Sequence, residues 1–387
     1  MKKLLFVCMG MGLGGTEKTL VTALNALDYS KYDVSLYIRK NRTDLLPYLN
    51  KNIHIILNDN VPLFENGFYC KLCGFAQRIC NLFKMKELSA KFSRSSRKYV
   101  LKKRTEYEKN AFFYNAQYDY AVAYDMATEV AKFVLDVVNA KKRIAFFHAS
   151  RLYEAKMLLY KEFDKIACVN DIVAADMKSD YPQLAEKVVA VENFIAPEYV
   201  INELKKGEPL TRPENKLVLC SCGRIAKEKG FDLATKAAKI LKNQGIDFHW
   251  FFVGNYLDNG FVENLIKTEG LQQEITVTGF VSNPYKYMEI CDIYIQPSYE
   301  DAHATTVVEA SILCKPIIST DTSTGRLFRD KYNCCNMCVR DEQSLADEIL
   351  NLYQKNSEIN RLIAATKEIN YCEKYSEYKK DLDKLFV

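Results

Sequence analysis

The sequence predicts an α/β protein made of two doubly wound, parallel-sheet, Rossmann-like domains. Short apolar runs alternate with helix-like segments along the chain, and the runs are continuous stretches of Val, Ile, Leu and Phe rather than in–out alternations. Strands buried on both faces read this way, because helices cover a parallel sheet on either side. The pattern pauses once, at residues 196–215, where three prolines, a glycine and mixed charges read as a linker. A chain of 387 residues is long enough for a full core on each side of that break.

In the first half the strands are expected at residues 4–8, 33–38, 53–57, 120–124, 143–147, 165–169 and 188–191. The second half repeats the plan at 217–222, 249–253, 275–277, 293–295 and 316–319. Domain limits follow as 1–195 and 216–370, with a final helix over 371–387 that can pack on either domain. One segment breaks the alternation. Residues 68–110 look helical throughout, and 84–109 carries ten Lys/Arg against three Glu, interleaved with Phe92, Tyr99, Val100, Leu101 and Tyr107. A basic amphipathic helix suits an anionic membrane surface, and it equally suits a solvated face on an insertion.

The composition, 48% hydrophobic and 27% charged, is that of a globular protein, and the net charge of +5 is modest. Nothing in it points to nucleic acid. The thirteen cysteines have no repeated metal-ligand spacing: Cys70 and Cys73 stand alone, and Cys334, Cys335 and Cys338 lack a matching His cluster. Reduced thiols in a cytoplasmic setting are expected, with no metal site. The start, MKKLLFVCMGMGLGG, imitates a signal peptide, but its apolar run gives way to glycines and a helix-like segment. A strand entering a Gly-rich turn explains it better.

Three stretches carry chemistry. Gly10, Gly12 and Gly15 fit the dinucleotide fingerprint, yet the acid that should end the second strand is replaced by Arg39 and Lys40. No hydride chemistry follows downstream, so what survives is a backbone that a ligand can approach beside a helix N-terminus. The second domain opens with CSCGRIAKEKGFD at 220–232, where Arg224 and Lys229 lie five residues apart in a polar loop. A guanidinium fork and a mobile ammonium together can neutralise a diphosphate leaving group. The third stretch, DIYIQPSYEDAHATTVVEASILCKP at 292–316, reads as strand, loop and helix, with Asp301 in the loop and Glu309 in the early helix. Carboxylates there accept hydrogen bonds from sugar hydroxyls beside a phosphate held on the helix end, which suits a nucleotide-sugar. From these residues alone, acids complementing a helix dipole and ordinary surface charges remain open readings.

Ordered motifs then carry a resemblance. Gly-Arg-Ile-Ala-Lys-Glu-Lys-Gly at 223–230, Phe-Val-Gly-Asn at 252–255, Val-Thr-Gly-Phe-Val-Ser-Asn-Pro-Tyr at 277–285, Pro-Ser-Tyr-Glu-Asp at 297–301, Val-Glu-Ala at 308–310 and Lys-Pro-Ile-Ile-Ser-Thr at 315–320 resemble family-4 retaining glycosyltransferases of the GT-B fold. The likeness is greatest to bacterial members that build capsule, exopolysaccharide and lipopolysaccharide. It covers most of 216–350 and extends more weakly to Met-Gly-Leu-Gly-Gly-Thr-Glu-Lys at 11–18, Phe-Phe-His-Ala-Ser at 146–150 and the region 168–195.

The resemblance implies GT-B domains facing across a cleft, the first binding acceptor and the second the nucleotide-sugar. It implies Arg224 and Lys229 on the diphosphate, Asp301 on sugar hydroxyls, Glu309 on the ribose and His148 near the donor sugar. Backbone around Ala302, His303, Ala304, Thr305 and Thr306 would meet sugar and diphosphate, and Phe280 and Val281 the base. Gly14 and Gly15 would face the diphosphate, and Gly254 would lie at the donor. Two departures stand out: Asp301 replaces the usual Glu, and Ala302-His303-Ala304 replaces Gly-aromatic-Gly.

The activity so implied is metal-independent transfer of a hexose, with retention, from a nucleotide-sugar, a UDP-sugar in particular, to a hydroxyl of a lipid-linked or polysaccharide acceptor. The nucleotide-sugar is a substrate, and no cofactor is expected. The setting implied is cytoplasmic, peripheral on the inner face of the plasma membrane through residues 84–109. A GT-B sugar-nucleotide epimerase and a non-catalytic partner in a polysaccharide assembly complex are the alternatives.

Overall fold

A computed structural model describes residues 1–58, 68–82, 85–113, 115–256 and 260–387, with only the backbone at 68, 82 and 97. Its strands form two parallel sheets. The first holds β1 (Lys2–Cys8), β2 (Tyr32–Ile38), β3 (His54–Leu57), β4 (Tyr118–Ala123), β5 (Ala140–Phe147), β6 (Lys165–Cys168) and β7 (Val188–Ala190) in the order β3-β2-β1-β4-β5-β6-β7. The second holds β8 (Leu217–Cys222), β9 (Phe248–Val253), β10 (Ile275–Gly279), β11 (Ile293–Gln296), β12 (Ile317–Thr320) and β13 (Cys335–Cys338) in the order β10-β9-β8-β11-β12-β13. Every expected strand is present, with ends within three residues of expectation; β13 was not expected.

Strand order reverses at β1, which pairs with both β2 and β4, and at β8, which pairs with both β9 and β11. Ligands of open α/β sheets bind outside the carboxyl ends of the strands at such reversals. Arg224 follows β8 and Asp301 follows β11, so both lie beyond the ends of strands that meet at the second reversal. In β8 the side chains of Leu217 and Leu219 enter one core with Phe231, Leu241 and Trp250, while Val218 and Cys220 enter another with Tyr285, Tyr294 and Val307. Two buried faces are the reason the strand is apolar throughout.

The chain divides into two compact units: residues 1–12, 27–147 and 155–166 in one, and 13–26, 148–154 and 167–387 in the other. The helix Gly15–Ala26 thus groups with the second unit. Part of the expected linker is helical: Pro197–Leu204 starts on a proline, whose fixed φ favours a first helical turn, and buries Val200 in the second unit.

The expected helical insertion is two packed helices, Phe68–Leu82 and Lys86–Phe112; Lys84 lies outside the described residues. Phe92, Tyr99 and Leu101 are half-buried, with Tyr99 ringed against Tyr69 of the first helix. The exposed apolar stripe is instead on that first helix, at Leu72, Phe75 and Ile79. Near its far end the long helix is anchored by Glu108, which is fully buried and accepts from Arg39 Nη2 at 2.7 Å, Asn58 Nδ2 at 2.8 Å and Arg104 Nε at 3.0 Å. Arg39 is therefore consumed in an internal ion pair, which leaves no second-strand arginine for a dinucleotide phosphate.

All thirteen cysteines are free. Burial pushes the thiols of Cys334 and Cys338 up to about 12, so neither supplies a thiolate near neutral pH. Among the described residues no helix is long and apolar enough to cross a membrane.

Candidate nucleotide-sugar site

The loop between β11 and the helix Thr305–Ile312 is built around Asp301. One of its oxygens, Oδ2, accepts from Lys229 Nζ at 2.8 Å, Ser298 Oγ at 3.1 Å and Gln296 Nε2 at 3.3 Å. Gln296 extends the network, its Oε1 accepting from Tyr294 Oη at 2.9 Å and Thr306 Oγ1 at 3.1 Å. The Lys229 turn is pressed onto this loop. Gly230 has φ +66, and a Cβ there would come within 2.0 Å of the Pro297 carbonyl, so only glycine allows the approach. Tyr299 N–H donates across the same junction to the Glu228 carbonyl at 2.9 Å. At the neighbouring strand ends a Cβ on Gly254 would lie 1.7 Å from the Gly223 carbonyl oxygen, which fixes the turn that carries Arg224. Arg224 is exposed and pairs with Glu228 at 3.3 Å.

The structure thus joins Lys229 to Asp301 and leaves Arg224 displayed to solvent nearby in the sequence. Phe280 is exposed and Val281 half-buried after β10. Gly14 and Gly15 open the helix Gly15–Ala26, and a Cβ on Gly15 would lie 2.4 Å from Thr305 Oγ1. His148, half-buried just after β5, has its Nδ1 3.5 Å from Asn193 Nδ2.

Two backbone groups of this loop are already engaged. The Ala304 N–H is not free to meet a ligand, because it donates to Thr324 Oγ1 at 2.7 Å, and the Ala302 carbonyl accepts from Asn170 Nδ2 at 2.7 Å. Asn170 also caps the helix Asp171–Asp180 by accepting from Val173 N–H at 2.8 Å, so one side chain ties that helix start to the loop. His303 points inward. It is buried with neither ring nitrogen hydrogen-bonded among the described residues, and burial lowers its pKa to about 4 against the opposing charge of Glu192.

Glu192 is itself a junction, accepting from Lys331 Nζ at 2.8 Å, Tyr332 Oη at 2.7 Å and Lys374 Nζ at 2.8 Å. Burial works against the carboxylate, yet Lys374, His303 and Lys331 together hold it at about 2. Lys374 belongs to the last helix, Tyr371–Leu385, which also sets Tyr371 against Ser311 Oγ at 2.8 Å and stacks Tyr378 on Phe194.

Glu309 lies in the second turn of its helix and is fully buried. Its Oε1 accepts from Lys18 Nζ at 2.6 Å and Tyr285 Oη at 3.0 Å, while Oε2 has no partner among the described residues. Lys18, Asn170, Glu192, Tyr285 and Gln296 were not singled out from the sequence. Each lies within a stretch named above, Lys18 at the end of Met-Gly-Leu-Gly-Gly-Thr-Glu-Lys and Tyr285 at the end of Val-Thr-Gly-Phe-Val-Ser-Asn-Pro-Tyr, but none carried a role there. Among the described residues no group of three metal-ligating side chains occurs.

Comparison with known proteins agrees with this architecture. Residues 202–369 match the family described as glycosyl transferases group 1. The chain is 25% identical over 139 residues to the O-antigen biosynthesis glycosyltransferase WclY of Escherichia coli, covering 35% of this chain and 37% of that one. It is 32% identical over 138 residues to 2-deoxystreptamine N-acetyl-D-glucosaminyltransferase of Niallia circulans, covering 35% and 36%. The chain thus spans just over a third of the length of these curated relatives. Among solved structures, HepE of Anabaena in complex with UDP and glucose superposes with a TM-score of 0.70 at 14% identity, over 99% of this chain and 100% of that one. The chain has the GT-B fold, and its residues 202–369 are a glycosyl transferases group 1 domain.

Proposed function

We propose that this chain is a glycosyltransferase that moves a hexose from a UDP-sugar, with retention, to a hydroxyl of a lipid-linked or polysaccharide acceptor in cell-surface glycan synthesis. The observation that carries the reading is the pairing of Lys229 with Asp301 at 2.8 Å beside Arg224, within a glycosyl transferases group 1 domain. An ammonium and a guanidinium supply the charge that a departing diphosphate needs, so no metal is required for that step. Donor binding exchanges one anion for another at Lys229: the diphosphate takes the ammonium and frees Asp301 for hexose hydroxyls. Glu309 accepts from the ribose, and His148 stands at the sugar. The acceptor hydroxyl attacks on the face that the diphosphate leaves, and a diphosphate oxygen takes its proton. UDP and glucose bound to HepE and the O-antigen role of WclY support the donor and acceptor classes.

The helix pair Phe68–Leu82 and Lys86–Phe112 supports a membrane-held acceptor. Leu72, Phe75 and Ile79 offer an apolar stripe, and the exposed Lys91, Arg94 and Lys98 on the adjoining helix offer charge to anionic headgroups.

Incubating the protein with UDP-sugars, with and without a lipid-linked glycan acceptor, separates the readings. Release of UDP only with acceptor is expected. Conversion of the sugar without acceptor marks an epimerase. A ligand at 100 times its dissociation constant stabilises by about 2.7 kcal/mol, so absence of any thermal shift with UDP, GDP or ADP and their sugars marks a non-catalytic partner.

A further inference from the structure

Glu309 poses a specific problem. A buried carboxylate needs its lone pairs met, and here one oxygen is doubly served while the other has no partner among the described residues. Lys18 and Tyr285 both donate to Oε1 and lie 3.0 Å from each other, closing a triangle. Burial and the Glu309 charge push the Tyr285 phenol far above its ordinary range, so it remains a donor. The Lys18 side chain is only 10% exposed, and its ammonium lies 5.1 Å from the Tyr285 ring centroid. Its helix is held to this place by Gly15, whose missing Cβ makes room for Thr305. Both donors that reach Glu309 serve one oxygen, and a hydroxyl brought by a ligand is the natural partner of the other.

We infer that Lys18 is a positioning residue that secures Glu309 through Oε1 and so keeps Oε2 as the acceptor for the ribose 2′-hydroxyl of a nucleoside diphosphate. The inference rests on the donor site proposed above. An ordinary buried ion pair would stabilise or destabilise the fold but would not change which nucleotide is preferred. A positioning role changes the preference, because a site built to accept from a hydroxyl rejects the analogue that lacks it.

The test is calorimetric titration of UDP and 2′-deoxy-UDP into the full chain and into K18M, K18Q, E309Q and K18M/E309Q. The parent should prefer UDP by at least tenfold. In K18M, UDP affinity should fall at least tenfold and the preference should shrink towards one. The double variant should lose no more than E309Q alone, since Lys18 acts through Glu309. If K18M does not fold, K18Q, which keeps a shorter neutral donor, carries the same comparison. The double variant, with no buried charge left unpaired, reports on E309Q's side of the cycle. K18M or K18Q with a parental preference for UDP overturns the inference, as does a double variant whose loss is the product of the single losses. A parent that binds UDP but not in preference to 2′-deoxy-UDP overturns it too. Failure of the parent to bind any nucleoside diphosphate instead overturns the proposed function itself.

Discussion

Replacing Lys229 and Arg224 separately by alanine distinguishes a shared catalytic role from two different structural ones. Lys229 is 21% exposed and its partner Asp301 7% exposed, at 2.8 Å. Bonds of this charge-assisted kind contribute about 1.5–3 kcal/mol, and Asp301 keeps Ser298 and Gln296 as donors in the variant. Lys229→Ala should therefore cost about 1.5 kcal/mol, a fall in melting temperature of about 2–4 °C. Arg224 is 64% exposed and meets only an i,i+4 glutamate at 3.3 Å, so Arg224→Ala should cost no more than about 0.5 kcal/mol. Turnover should not follow this order. In the proposed reaction each cation stabilises charge that develops on the leaving diphosphate, and losing one such contact raises the barrier by about 3 kcal/mol, or about two orders of magnitude in rate. The assay is UDP release at saturating donor and acceptor, beside a thermal melt of the same preparation. Turnover within about threefold of the parent in either folded variant refutes the diphosphate assignment.

The pH dependence of stability should expose His303. Burial lowers its pKa to about 4, so below its ordinary value of 6.5 the unfolded chain binds the proton that the folded one refuses, and stability falls as pH drops through that window. Relative to His303→Phe, the parent should lose about 2 kcal/mol between pH 6.5 and 4.5 in urea titrations, and parallel curves would mean that the imidazole is charged or solvated in the fold. On the insertion, reversing charge at Lys91, Arg94 and Lys98, at about 1 kcal/mol each, should release the protein from anionic vesicles at low salt while UDP affinity stays unchanged; cosedimentation equal to the parent's would mark a merely solvated face.

The strands were legible because β-sheet burial on two faces writes itself as unbroken apolar runs. β13 was not, since CNMC carries no β-branched or alternating pattern, and it is recognisable only once β12 is seen to need a neighbour. Helix Pro197–Leu204 was hidden by the proline that starts it, which reads as a breaker unless the apolar spacing after it is weighed. In the candidate site, the residues picked out from the sequence were those with a motif: Arg224, Lys229, Asp301 and Glu309. Their supports were not, because Asn170 lies 132 residues and Lys18 291 residues from the groups they serve, and no local spacing encodes such pairs. The partial burial of the apolar residues on the basic helix was hidden for a related reason. Tyr99 meets Tyr69 of the companion helix, and Phe92 and Leu101 are half-buried, which the composition of one helix alone does not reveal.

The Glu192 junction bears on how the chain is made. Its three donors follow it by 139, 140 and 182 residues, so a carboxylate destined for burial leaves the ribosome long before any of them exists. At about 5–20 residues per second the interval to Lys374 is about 10–35 s. Until Lys331 and then Lys374 are made, Glu192 lacks the cations that flank it in the fold, and the region around His303 cannot close over it without stranding the charge. Closure of the second unit around Glu192 therefore waits on the helix Tyr371–Leu385, which brings Lys374.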